Sequence, residues 1–333
     1  MKYSKKASGA IFGTLAGLVL AWLLLRASAG EGGVGSALEN ILDRTAGVDP
    51  SMLAFAFALF LASQLLRALR WMLLGFGRKY RFSLSMAVTS LHVGLGHLLP
   101  FRLADVAFVG LFRHYGEVPV GHGTASVVFA KLLDLMAMGV VVGSAASAGL
   151  GEMLYAAPVL VVIGFAGIIF LLPILRTLSR PARWMLERFL PGRRTHWFDD
   201  LLAASELRDR KGKIALAFLI SILVWLAKLS MFCFLLESLG VSGIPGWKIF
   251  LASGVTNIIM ALPVHGLFSI GTTEAGWAAG FAMVGVEGSL ISGVDIVEVG
   301  FSVHILWMLM AVFLMLLSVP LLIWDGKRKG TVE

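Results

Sequence analysis

Residues 96–136 read GHLLPFRLADVAFVGLFRHYGEVPVGHGTASVVFAKLLDLM, and this stretch decides the fold. It is apolar enough for lipid, yet it carries Pro100, Arg102, Asp105, Lys131 and Asp134. A proline inside a helix frees carbonyls that lipid cannot satisfy. Each charge at membrane depth costs about 3 kcal/mol on the insertion scale. Such a segment must line protein or water, so function is sought here first.

The whole chain supports a membrane reading. It is 58% hydrophobic and 14% charged, against about 25% charged for a soluble protein. Its apolar runs are continuous, not alternating, which argues against an all-β fold. The expected fold is an all-α polytopic membrane protein with six full spans and two re-entrant hairpins. The net charge of +8 follows from loop asymmetry and calls for no nucleic acid. The single cysteine, Cys233, rules out an internal disulfide and a multi-cysteine metal site.

Outward from the stretch, the spans are expected at 9–25, 51–76, 120–147, 153–175, 213–239 and 297–324. The first resembles a signal peptide, with Lys2, Lys5 and Lys6 before it and Ala27-Ser28-Ala29 after it. Its length and Arg26 favour an uncleaved span. Residues 27–50 read as an external loop with a short helix at 36–44, and Asp49-Pro50-Ser51 starts the next helix. Residues 82–114 break at Pro100 into two halves too short to cross the ~30 Å core. They form a hairpin whose tip holds His97 and Arg102. Residues 247–286 repeat the theme around Leu262-Pro263-Val264-His265-Gly266. Thr272 or Thr273 is placed to cap a half-helix beginning near Glu274.

The domain plan is one transmembrane domain over 1–333. A first half, 1–147, holds hairpin 82–114, and a second half, 213–326, holds hairpin 247–286. Between them, 176–213 carries ten Lys/Arg among Trp184, Phe189 and Trp197 and reads as a cytoplasmic amphipathic segment. With both termini cytoplasmic, inner segments hold twenty Lys and Arg and outer ones three, Arg26, Arg44 and Lys248. The hairpins then enter from opposite sides. Leu98-Leu99-Pro100 echoes Ala261-Leu262-Pro263. Broken segments in corresponding halves point to an inverted repeat around a transport site.

Four motifs in order resemble one family. Leu99-Pro100-Phe101-Arg102-Leu103-Ala104-Asp105 is similar to a P-x-R-x-G-E segment. Ala125 to Asp134 is similar to an A-S-x-x-x-x-R-x-x-D helix, and Arg67-Ala68-Leu69-Arg70-Trp71 to R-x-x-R-W. Leu262-Pro263 followed by Gly271-Thr272-Thr273-Glu274 is similar to P-x-x-G-G-x-G-x-x-E. Together they resemble the lysylphosphatidylglycerol synthase transmembrane-domain family, also called flippase-like. The departures are Ala104-Asp105 for Gly-Glu and Lys131 for the arginine, which cannot form a bidentate fork.

The resemblance implies movement of an anionic, aminoacylated or polyprenyl-linked lipid between leaflets of the inner membrane. The headgroup would pass between the hairpins. Arg67, Arg70, Arg102 and Lys131 would hold a phosphate. Asp105, Asp134 and Glu274 would hold an amine or carry coupling protons, with His97, His265, Thr272 and Thr273 lining the site. Arg67 and Arg70 share a helix face, and snorkelling to headgroups is the blander reading. The chain ends at Glu333, so an appended aminoacyl-transferase activity is not expected. No ATP-binding loop occurs, no cofactor is implied, and no hydrolase or metalloprotease pattern surrounds the histidines. The expectation is therefore a non-enzyme. Two alternatives stay open: a non-transporting partner of a glycosyltransferase or synthase, and an embedded enzyme using His92, His97, His265, Asp105 and Glu274.

Geometry yields a further expectation. Folding 103–116 back on 120–147 sets Asp105 and Lys131 within about one helical turn in depth. Asp105 should pair with Lys131 and Arg102 with Asp134. The alternative is that Lys131 and Asp134, three apart, satisfy each other. His97 and His265 should approach at the tips.

Overall fold

The structure, a computed structural model, describes residues 2–29, 32–74, 81–100, 103–149, 151, 159, 162, 163, 181, 184, 188, 211–261, 266–286 and 295–329. The described residues form ten α-helices and no strand. They are α1 (Lys2–Ser28), α2 (Gly33–Ala46), α3 (Pro50–Leu74), α4 (Phe82–Leu98) and α5 (Leu103–Gly116). Then follow α6 (Val120–Gly149), α7 (Lys211–Ser238), α8 (Gly246–Ala261), α9 (Thr272–Met283) and α10 (Ile296–Lys329). Among the described residues four helices, α3, α6, α7 and α10, are long and apolar enough to cross a membrane. Large apolar side chains cover their outer faces, as Leu309, Phe313, Leu316 and Ile323 do on α10. Outward apolar faces around a core of buried serines, histidines and charges mark a helical membrane protein. The expected span at 153–175 and the amphipathic segment 176–213 lie almost wholly outside the described residues.

Local chemistry sets the helix ends. Asp49 accepts the backbone N–H groups of Ser51 (2.8 Å) and Met52 (3.3 Å), and Pro50 occupies the first turn where no N–H is needed. Its carboxyl is held below the usual range, first by the Ser51 hydroxyl and then by those amides. The break at Pro100 is real: α4 ends at Leu98, Leu99 is extended, and α5 starts at Leu103. The 36–44 helix is longer than expected, Gly33–Ala46, and it is no detached loop. It buries Ala37 and Ile41 against α1 and α10, and its Asn40 donates to Glu298.

The two pairs of short helices sit in matching places. α4 and α5 pack together, as do α8 and α9. α5 lies on α6 and α9 on α10; α4 lies on α10 and α8 on α6; α3 touches α4 and α7 touches α8. α6 packs on α7, and its counterpart contact, α10 on α3, is made by Phe313 and Phe57 with ring centroids 5.8 Å apart. The pair α3–α7 joins the halves. Exchanging α3–α6 with α7–α10 therefore maps these contacts onto one another. At 1.5 Å per residue the four short helices are about 18–26 Å long, below the ~30 Å of a hydrocarbon core.

Glycines permit the closest approaches. A Cβ on Gly280 would lie 2.4 Å from the Ala252 carbonyl oxygen, so α8 and α9 touch backbone to backbone. Gly271 has φ +84° just before α9, a value glycine adopts freely, and a Cβ there would collide with Gly17 of α1.

Candidate functional site

Among the described residues, the charges selected from the sequence fall in more than one cluster. They form a polar seam through the helix interior, built from three clusters.

The first joins α3, α6 and α7. Arg70 is 1% exposed and forks onto Asp134, with N···O distances of 2.5 and 3.1 Å. Arg70 also donates to Ser221 at 2.8 Å, and the Trp225 indole donates to Asp134 at 3.2 Å. Arg67 lies 3.8 Å from the same carboxylate. A buried fork of this kind persists because both carboxylate oxygens have donors. Snorkelling is thus the wrong account of Arg70, which turns into the bundle. The alternative pairing of Lys131 with Asp134 is also wrong. They sit on one helix, but each finds its partner on a different neighbour. Arg102, expected on Asp134, lies outside the described residues, and Arg70 and Arg67 take that place.

The second joins α4, α5 and α6. Lys131 Nζ lies 2.8 Å from one Asp105 oxygen, and His92 Nε2 lies 2.8 Å from the other. The Asp105–Lys131 pair expected from helix geometry is present. Its lysine side chain is 40% exposed, so this cluster is the open one. It rests on an aromatic stack in which Phe108 meets His92, Trp71 and Phe112. Arg70 lies 5.6 Å over the ring of Trp71, which meets Phe108, so the first two clusters adjoin.

The third sits at the second break. Glu274, 1% exposed, accepts the Gly271 N–H at 2.6 Å with one oxygen. Its other oxygen is 2.6 Å from His304 Nδ1. This corrects the expected cap. Thr272 and Thr273 are already inside the first turn of α9 and donate back to the Ser269 carbonyl. The side chain that caps is Glu274. Phe268 and Ser269 both have φ above +50°, a costly state for residues other than glycine. His97 packs edge-on against Trp307 (4.4 Å) and lies 5.9 Å from the His304 ring. His265, the expected neighbour of His97, is outside the described residues. The turn Leu267–Ser269 does pack on α4.

Lys228, not selected from the sequence as a site residue, connects the clusters. It donates to Asn257 at 2.6 Å and lies over the rings of Trp225 (5.0 Å) and Trp307 (4.7 Å). It forms no ion pair with a carboxylate among the described residues. Tryptophan faces and an amide oxygen stabilise a buried ammonium without neutralising it. A separate cavity of about 850 Å³ opens where α2 and α3 meet the end of α7, lined by Asn40, Asp43, Arg44, Asp49 and Glu237. It holds none of the residues selected above, and the seam carries the chemistry. No group of three or more metal-ligating side chains occurs among the described residues.

A helical bundle with outward apolar faces and a charged interior seam defines a polytopic membrane protein. A family model described as the lysylphosphatidylglycerol synthase TM region matches residues 8–297, and the chain belongs to that family. Comparisons with curated proteins and with solved structures gave no match.

Proposed function

We propose that the protein is a lipid translocase that moves an anionic, aminoacylated or polyprenyl-linked headgroup between leaflets of the inner membrane. One observation carries this reading. Arg67 and Arg70 meet inside the bundle at a single carboxylate, Asp134, and Lys228 lies over Trp225, whose indole donates to that carboxylate. Unbalanced cations at membrane depth are costly and mark a pathway or a ligand. A lipid phosphate supplies the missing negative charge, and Arg67 and Lys228 are the groups left to meet it once Arg70 is committed to Asp134. The half-exposed Lys131 at Asp105 offers an entry contact of the same sign. Acyl or prenyl chains stay in lipid while the headgroup follows the seam.

The two short-helix pairs act in this reading as re-entrant hairpins of opposite sense, with both termini cytoplasmic. The interchangeable contacts of α3–α6 and α7–α10 favour that arrangement, because transport sites lie where such repeats meet. The protein changes no bonds in the lipid and needs no enzyme partner to move it. Mass spectrometry of lipids that co-purify with the protein tests the binding step. Anionic lipids should be enriched, chemically unchanged after incubation, and depleted in Lys228→Met. Equal recovery of neutral and anionic lipids, or a covalently altered lipid, would overturn the reading.

A further inference from the structure

The first turns of α5 and α9 occupy corresponding places, and each has an acid as its third residue, Asp105 and Glu274. Each acid reaches the long helix that follows: Asp105 meets Lys131 of α6 and Glu274 meets His304 of α10. The two halves therefore repeat an acid–base contact with one chemical difference. A lysine at the first keeps its charge, whereas a histidine at the second can gain or lose one.

The second contact is also enclosed. Glu274 and His304 side chains are 1% and 4% exposed, and His304 Nε2 is buried without a hydrogen-bond partner among the described residues. A permanent imidazolium would leave a buried N–H donor unsatisfied at Nε2, a cost of about 1–3 kcal/mol. A permanent carboxylate, in turn, has only the Gly271 amide and the α9 N-terminus to support it. Neither protonation state satisfies every group, so the pair can alternate between them.

The surrounding groups are few. From α4 comes His97, with its ring 5.9 Å from His304. From α7 comes Lys228, screened by Trp307 one turn along α10. Glu298 on α10 itself is bonded to Asn40 of α2. Asp105, on α5, is held by His92 and Lys131. From α1 comes backbone at Gly17, with Arg26 more than two turns away, and α8 contributes Thr256 while its Lys248 sits over Trp247.

We propose that Glu274 and His304 together form a proton-binding site that takes up and releases one proton per transport cycle. This rests on the translocase reading. In the proton-free state His304 Nδ1–H donates to Glu274 Oε1; the proton taken up forms an N–H bond at His304 Nε2, its release breaks that bond, and no other bond is made or broken. His97 lies beside the pair on the side of the first hairpin, and the Lys131–Asp105 contact is its fixed-charge counterpart.

Two measurements on the full chain test it. In vesicles of defined phospholipid, wild-type lipid movement should respond to an imposed pH gradient, and His304→Lys should lose that response while Gly139→Ala, with open space around its new Cβ, should keep it. A gradient response retained in His304→Lys would overturn the proposal. The second measurement needs no transport: infrared difference spectra of the wild type and of Glu274→Gln stepped between about pH 5 and 8. A carboxyl or imidazole protonation band should appear in the wild type and be lost in Glu274→Gln. Absence of any such band in the wild type would overturn the proton site whatever the lipid assay shows, whereas a band without lipid movement would locate the failure in the translocase reading.

Discussion

Neutralising Asp134 should be the most damaging single change in the seam. Asp134 takes two hydrogen bonds from Arg70 and one from Trp225, and it lies 3.8 Å from Arg67. Asp134→Asn keeps the shape but leaves Arg70, 1% exposed, and Arg67 without a counter-charge. Breaking a buried pair from one side costs about 3–5 kcal/mol. Arg70→Met is milder, because Arg67 and Trp225 remain on the carboxylate. The loss is then about 1–3 kcal/mol, that of unsatisfied buried acceptors. The double variant leaves only Arg67, which is 16% exposed and better placed to reach water or lipid phosphate. Its cost should fall below the sum of the singles by more than ~1 kcal/mol. Reversible unfolding of each variant in mixed micelles, followed by tryptophan fluorescence, supplies the double-mutant cycle. Additivity within about 0.5 kcal/mol would refute the coupling, and Arg70→Met costing more than Asp134→Asn would refute the assigned roles.

Asp105→Asn should impair folding or transport, and combining it with Lys131→Met should partly restore what was lost; a double variant as poor as the summed singles would sink that pairing. The effect should be smaller than at Asp134, because Lys131 is 40% exposed. Gly280→Ala forces a Cβ within 2.4 Å of a backbone carbonyl of α8 and should destabilise by about 1–3 kcal/mol, whereas Gly139→Ala, with nothing within 4 Å, should be neutral or slightly stabilising, as thermal unfolding will show. Asp49→Ala should speed amide exchange at Ser51 and Met52. The Asp49 carboxyl is lowered in the folded state, so its support is present above the ordinary value of 3.8 and disappears as pH falls through the folded value. In a Cys233→Ser background, a cysteine at position 195 should be labelled only from the cytoplasmic side.

The elements that lipid dictates were legible in the sequence. Four long spans are where continuous apolar runs put them, and Pro100 stands where α4 gives way to α5, whereas α10 runs on through Pro320. The Asp105–Lys131 pair was also legible, since one short loop fixes how two neighbouring helices lie. Contacts across distant helices were not. Arg70 and Asp134 are 64 residues apart, and nothing local says that α3 presents its arginine to α6 before Lys131 can. Lys228 belongs to no motif, and the residues that define it, Asn257 on α8 and Trp307 on α10, are far from it in sequence. His304 carried no motif at all. Its meaning comes from Glu274, 30 residues earlier, which was read as a residue behind a threonine cap when it is itself the cap.

A leaflet-resolved assay tests the central claim most directly. Purified, folded protein is placed in liposomes with headgroup-labelled lipids on one side, and the label reaching the other side is measured for anionic, aminoacylated, polyprenyl-linked and neutral lipids. The account predicts protein-dependent crossing of at least one lipid that carries a phosphate anion, with little crossing of the neutral lipid and a loss of crossing in the Arg67→Ala, Lys228→Met double variant. No crossing of any anionic lipid, or equal crossing in that variant, would contradict it.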